Sequence, residues 1–231
     1  MCVRRAGGFA PRAGNFAYHR VGRTRVEAME GNDSAVWVGR TLSGKFRLVR
    51  LLGEGGYGAV YEAHQEALGR AVAIKRLHPA AARNAQALQR FRREAEACAR
   101  LGHPHIVAVY DFVLDDPSGP YLVMELLKGE SFSALLRREA PLDEERTAIL
   151  FRQVLSALAA AHSAGVVHRD IKPGNIFVTE SPTLGTIAKV LDFGVAKRAE
   201  DDTAPLTRPG DLVGTLSYMA PEQAYGAVLD G

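Results

Sequence analysis

The sequence predicts an α+β fold in two lobes: a small antiparallel β-sheet lobe with one helix, followed by a mainly helical lobe. Three observations predict it. Short apolar runs bounded by glycine and turn residues fill residues 46–125, the texture of strands. Within that stretch one segment, 85–101, carries its apolar residues at helical spacing instead. After Glu125 the spacing turns helical, which places the junction between lobes near residues 125–129.

The elements follow in chain order. Residues 46–52 form a strand that runs into the cluster Gly53, Gly55, Gly56 and Gly58, and residues 60–63 return as a second strand. After a turn at Leu68, Gly69 and Arg70, residues 71–75 make a third. Asn84 is placed to cap a helix over 85–101, where Leu88, Phe91, Ala95, Cys98 and Leu101 recur at steps of three and four. Residues 106–112 and 121–125 supply two more strands around a turn at 115–119, for a five-stranded sheet. Ser131 is placed to cap a short helix, and Asp143 a long one over 144–164 that Gly165 ends. Val154, Leu155, Leu158 and Ala161 mark the buried face of that long helix. Short strands at 176–178 and 187–191 lead into a polar, Pro-containing stretch from 197 to 213.

Composition excludes several classes. With 231 residues, 47% hydrophobic and 24% charged, the chain resembles an ordinary globular protein rather than a disordered, collagen-like or rod-forming one. No apolar run approaches the ~20 residues that cross a bilayer, so no membrane segment is expected. Two cysteines, Cys2 and Cys98, are too few for a disulfide framework or a zinc site and fit a reducing, cytoplasmic setting. The net charge of +3 is unevenly placed: residues 1–28 hold six arginines against the single acid Glu27, while the remaining 203 residues carry 23 basic and 25 acidic groups. The body is slightly acidic, so no nucleic-acid partner is implied. Residues 1–45 are expected to be a disordered tail and residues 46–231 the domain, divided into lobes at 46–125 and 126–231. Residues 1–28 lack the apolar core of a secretory signal and the serines of a transit peptide. A flexible tail, or translated upstream sequence with the true start at Met29, is the expected reading.

Four segments carry chemistry. Gly53-x-Gly55-x-x-Gly58-x-Val60 allows backbone N–H groups to approach phosphates that a side chain would obstruct. The pattern alone is shared with dinucleotide folds, but here it joins two strands instead of opening a helix, so it reads as a hairpin flap. Lys75 ends an apolar strand and Glu94 lies within the apolar stripe of the helix; each needs an opposite charge, so the two are expected to meet. His168, Arg169, Asp170, Lys172 and Asn175 crowd five polar groups into eight residues between a helix and a strand. There Asp170 can accept a hydroxyl proton, Lys172 can neutralise a moving phosphoryl group, and Asn175 can offer an amide oxygen to a metal. Asp192, directly after an apolar strand, offers a second hard oxygen suited to magnesium.

Together these segments resemble the signature set of eukaryotic-type protein kinases, in wording similar to the bacterial serine/threonine kinases. The set comprises the Gly-rich loop, Val72-Ala73-Ile74-Lys75, a helical glutamate, His168-Arg169-Asp170 with Asn175, Asp192-Phe193-Gly194 and Ala220-Pro221-Glu222, and the resemblance runs from about Phe46 to the last residue. The resemblance implies a two-lobed kinase-like fold and transfer of the γ-phosphoryl group of ATP, with Mg2+, to Ser/Thr hydroxyls of protein substrates. It implies Asp170 as catalytic base with Lys172 beside it, Asn175 and Asp192 as metal ligands, and Lys75 on the α/β-phosphates, held by Glu94. It places residues 53–60, which are Gly53, Glu54, Gly55, Gly56, Tyr57, Gly58, Ala59 and Val60, over the nucleotide. Leu52, Val60, Ala73 and Phe177 would sandwich adenine, the backbone at Glu125 and Leu127 would bond its edge, and Met124 would be the gatekeeper. Lys172, and Gly214-Thr215 ahead of Tyr218, favour Ser/Thr over Tyr as acceptor. Arg169 implies phosphorylation of the following polar segment at Thr203 or Thr207, with Thr207 preferred. The family pattern continues beyond Ala220-Pro221-Glu222 with further helices, whereas this chain ends at Gly231. The helical lobe is therefore expected to be incomplete, with exposed apolar surface and reduced stability. The alternative function is a truncated, nucleotide-binding chain without catalysis. Oligomeric state is left open.

Overall fold

A computed structural model describes residues 34–181, 183, 185–193, 217–219 and 221. The expectations at Gly194, Thr203, Thr207, Gly214, Thr215, Ala220 and Glu222 lie outside the described residues. The chain forms β1 (Thr41–Leu42), β2 (Phe46–Glu54), β3 (Gly58–Gln65) and β4 (Arg70–Leu77), then helices α1 (Pro79–Ala82) and α2 (Ala85–Arg100), then β5 (Val109–Val113) and β6 (Tyr121–Met124). These strands make one antiparallel sheet in the order β1-β2-β3-β4-β6-β5. A second sheet joins β7 (Gly129–Ser131), β8 (Ile176–Ser181) and β9 (Gly185–Val190), packed with α3 (Phe132–Glu139) and α4 (Glu144–Ser163).

Local chemistry sets the helix ends. Asn84, Ser131 and Asp143 each accept a hydrogen bond from the backbone N–H three residues on, at 3.0, 3.2 and 2.8 Å, so each satisfies an orphan donor of its helix. Gly165 takes a left-handed φ of +72°. The Val166 N–H then returns to the Ala161 carbonyl at 2.9 Å, closing α4 with a Schellman turn.

Alternation along the strands sorts the large sheet into two faces. Leu48, Tyr61, Ile74, Tyr121 and Val123 share one buried cluster. Leu77 and Leu122 meet Phe91 and Ala95 of α2 on the other, where Phe91 and Phe112 stack edge-to-face at 5.5 Å. The first face needs a cover, and residues 34–45 supply it. In place of the disordered tail expected over residues 1–45, the structure folds residues 34–45 into a 3-10 turn (Ser34–Trp37) and strand β1, with Leu42 fully buried. The sheet accordingly has six strands where five were expected. Trp37 packs on this face with the Arg76 guanidinium 3.5 Å and that of Arg40 4.7 Å from its ring centroid. Arg76 is only 5% exposed and donates through Nε to the Ser118 carbonyl at 2.9 Å.

The structure departs from expectation in three further places. The strand expected over 106–112 starts at Val109; Ile106 forms a parallel bridge to Val190 instead, and the Val107 N–H bonds the Val190 carbonyl at 3.1 Å. Backbone pairing therefore runs from one sheet to the other at this point. Strand β7 was not anticipated. On α4 the buried residues are Leu150, Val154, Ala157 and Ala161, spaced by four, three and four. Leu155, assigned to the buried face, is 61% exposed: it lies one residue, about 100° of helix, past Val154. Phe151 is exposed beside it. Gln153 fixes α4 to β9, donating to the Thr186 carbonyl at 3.0 Å and accepting from the Ala188 N–H at 2.6 Å.

Candidate active site

The Gly-rich segment is the hairpin between β2 and β3. Gly53 pairs with Val60 and Glu54 with Ala59, and the Gly55 N–H donates to the Gly58 carbonyl at 2.8 Å. Gly58 runs so close to β4 that a Cβ there would sit 2.2 Å from the Arg76 carbonyl oxygen, so only glycine fits. A Cβ at Gly55 or Gly56 would meet nothing within 4 Å, and Tyr57 at the tip is exposed.

Lys75 stands on β4 between Val60 of β3 and Leu122 of β6. Its Nζ donates 2.7 Å to Glu94 Oε1 on α2 and 2.9 Å to Asp192 Oδ1 beyond β9. The two residues expected to meet are thus together, and Asp192 completes a triad. Burial by itself would favour a neutral lysine, but the carboxylates of Asp192 and Glu94 outweigh it and raise the Lys75 pKa. Burial pushes the Glu94 carboxyl up to about 7 despite Lys75, with the nearby Asp192 charge adding to the rise. For Asp192, burial acts upward too, yet the Lys75 ammonium outweighs it and holds the carboxyl below its ordinary range. Asp192 is therefore the carboxylate of the triad that stays ionised.

Asp170 lies in the loop after α4. Its Oδ2 accepts from Lys172 Nζ at 2.8 Å and from Asn175 Nδ2 at 2.9 Å, while the same Nδ2 donates to the Asp170 carbonyl at 2.8 Å. Its side chain is 19% exposed. A 3-10 turn, Pro173–Asn175, presents Asn175, whose carbonyl accepts the Leu191 N–H at 2.8 Å. The loop and the segment ending at Asp192 are thereby tied together.

His168 makes a second tie that the sequence reading did not assign. It is 1% exposed and packs on Phe193 with ring centroids 4.7 Å apart. Its Nδ1 accepts the Asp170 N–H at 3.2 Å, so Nε2 carries the proton and donates to the Leu191 carbonyl at 2.9 Å. Burial lowers its pKa and keeps the ring neutral. Arg169 and Asp192 both adopt left-handed φ, +63° and +47°, strain of about 1–3 kcal/mol each that clusters at functional sites. A histidine two residues before Asp170 and a phenylalanine after Asp192 were visible; their contact was not.

The residues expected around adenine are apolar and at least half-buried. Leu52, Ala73, Leu127 and Phe177 are buried and Val60 and Met124 half-buried, with Leu127, Phe177 and Met124 in one cluster. The Glu125 N–H is taken by the Ala108 carbonyl at 2.9 Å, and its carboxylate accepts from Lys189 Nζ at 2.7 Å. Among the described residues no group of three or more His, Cys, Asp or Glu converges as a metal site. The Asp192 carboxylate and Asn175 amide oxygen fit a divalent cation that draws its other ligands from phosphate and water.

A glycine flap, a lysine shared by two carboxylates and a loop carrying a braced aspartate define a phosphoryl-transfer scaffold rather than a dinucleotide fold. The protein kinase domain family model matches residues 46–228, and the chain belongs to that family. It is 43% identical over 204 residues to the serine/threonine-protein kinase pkn3 of Myxococcus xanthus, covering 87% of this chain and 37% of that protein. It is 45% identical over 193 residues to the serine/threonine-protein kinase PknA of Mycobacterium tuberculosis, covering 82% of this chain and 43% of that one. The chain thus spans about two-fifths of the length of these relatives. The crystal structure of the Mycobacterium tuberculosis PknI kinase domain superposes with a TM-score of 0.63 at 29% identity, covering 83% of this chain and 69% of that one. No described helix is long and apolar enough to cross a membrane.

Proposed function

We propose that this chain is an ATP:protein phosphotransferase acting on serine and threonine hydroxyls, with Mg2+ as cofactor. One observation carries the proposal: Lys75 Nζ bridges Glu94 and Asp192 while Asp170 is braced by Lys172 and Asn175. Lys75, kept charged and fixed by Glu94, binds the α/β-phosphates. The backbone of residues 53–60 covers them, and the walls at Leu52, Val60, Ala73 and Phe177 bury adenine, whose edge bonds the Glu125 carbonyl and the Leu127 backbone past Met124. Asn175, with its amide nitrogen committed to Asp170, presents its oxygen to the cation together with Asp192. The bound cation supplies neutralisation of the phosphate charge.

Asp170 orients the acceptor hydroxyl and takes its proton as the acceptor oxygen bonds to the γ-phosphorus and the bond to ADP breaks. Lys172, on the same carboxylate, neutralises the phosphoryl group in transit. The substrate is a protein, and an ATP-consuming enzyme with a free, buried Cys98 fits the cytoplasm. Incubation with γ-labelled ATP, magnesium and a generic protein acceptor tests this, followed by phosphoamino-acid analysis. Label on serine and threonine is expected; label on tyrosine alone, or none, refutes it.

A further inference from the structure

Ser34 precedes the segment that matches the kinase family, which starts at residue 46, yet it is only 5% exposed. Its Oγ donates to Glu54 Oε1 at 2.7 Å and its carbonyl accepts from Tyr61 Oη at 3.0 Å. Glu54 sits between Gly53 and Gly55, where β2 enters the glycine hairpin. On its other side is His78, directly after β4, 6% exposed and with Nε2 3.5 Å from the same Glu54 oxygen. That Nε2 also lies 3.0 Å from the Gly55 carbonyl. A carbonyl can only accept, so His78 Nε2 carries a proton and donates it. The His78 backbone N–H donates to the Tyr57 carbonyl at 2.9 Å. His78 therefore grips the loop on both sides of Gly56, and Glu54 ties that grip to Ser34.

With four glycines in the six residues 53–58, this hairpin has more backbone freedom to lose than an ordinary turn. Ordering it on a polyanion is unfavourable unless the order is already present. We propose that Ser34, Glu54 and His78 form a latch that pre-positions the glycine hairpin over the phosphates, so that the segment ahead of the family domain tunes phosphate affinity. All three are positioning residues: they act on the nucleotide through the loop backbone. The inference rests on the phosphotransferase reading for the identity of the ligand.

The latch acts on phosphates and not on adenine, so ATP and adenosine separate it from general folding. Affinities of the full chain for magnesium-ATP and for adenosine are measured by calorimetry, with melting temperatures alongside. One hydrogen bond of this kind is worth about a factor of three to ten in an equilibrium. Ser34→Ala is expected to weaken ATP about three- to tenfold and leave adenosine within twofold, while Ser34→Thr, which keeps the hydroxyl, restores ATP binding. His78→Leu, which removes the ring donor, is expected to weaken ATP about tenfold with the same selectivity. Unchanged ATP affinity in both variants overturns the latch, as does equal weakening of ATP and adenosine. Wild-type protein that binds ATP no tighter than adenosine overturns it as well, since there is then no phosphate contact to tune. Wild-type protein that binds ATP but transfers no phosphoryl group refutes the proposed function instead, and the binding comparison still decides the latch.

Discussion

Replacing Trp37 with alanine tests whether residues 34–45 belong to the folded lobe. The indole is half-buried, packs against the sheet cluster of Leu48, Tyr61 and Ile74, and stacks on the nearly inaccessible Arg76 guanidinium at 3.5 Å. Truncating a fully buried tryptophan costs about 3–5 kcal/mol, so a half-buried one costs about 2. Loss of the partly desolvated cation–π contact adds about 1 kcal/mol, whereas the stack on exposed Arg40 adds little. The expected loss is about 3 kcal/mol, which in a domain of this size lowers Tm by roughly 6–12 °C. Urea denaturation followed by circular dichroism should show the midpoint falling with the slope unchanged. A double-mutant cycle with Arg76→Leu should return a coupling of about 1 kcal/mol. A loss below about 0.5 kcal/mol with no coupling would show that this segment is not part of the lobe.

Three further outcomes follow from the geometry. Gly58→Ala forces a Cβ onto the Arg76 carbonyl and should destabilise the protein by about 2 kcal/mol or more, whereas Gly55→Ala, with open space around it, should leave Tm nearly unchanged and weaken only ATP binding; thermal melts and nucleotide titrations separate the two. The Glu94 carboxyl at about 7 lies above its unfolded range near 4.3, so the native state keeps a proton that the unfolded chain releases. That contribution is fully present below about pH 4 and is lost as pH rises through 7, roughly 4 kcal/mol in all. Glu94→Gln should therefore flatten the pH dependence of stability between about pH 4.5 and 7.5, measured by urea titration at each pH. Asn175→Ala removes both bonds to Asp170 and the oxygen proposed for the cation, and should lower kcat about 100-fold at saturating magnesium while costing about 1 kcal/mol of stability.

Much of this was legible because it is local. Caps at Asn84, Ser131 and Asp143 and the stop at Gly165 follow from one side chain or one φ value. The Lys75–Glu94 pair followed from two charges in apolar settings, and the Asp170 loop from its density of polar groups. What stayed hidden depends on partners distant in sequence. Strand β1 is two residues long between glycines, too short to show a period, and it exists because the sheet face bearing Tyr61 and Ile74 needs a cover. Leu155 has the same spacing credentials as Ala157, and only the position of β9 decides which of them is buried. His78 carries no motif; its place under the glycine hairpin comes from the β3–β4 register. The contact of His168 with Phe193 likewise depends on how two segments more than twenty residues apart are brought together.

In the proposed function, this arrangement binds ATP and uses Asp170 to pass its γ-phosphoryl group to a hydroxyl. The most direct test measures magnesium-ATP affinity and single-turnover transfer side by side in the wild type and in Asp170→Asn. Asp170 acts on the acceptor hydroxyl and not on the bound phosphates, so affinity should stay within about threefold while transfer falls at least 100-fold. Equal transfer by both proteins, or loss of transfer only in step with loss of ATP binding, would contradict it.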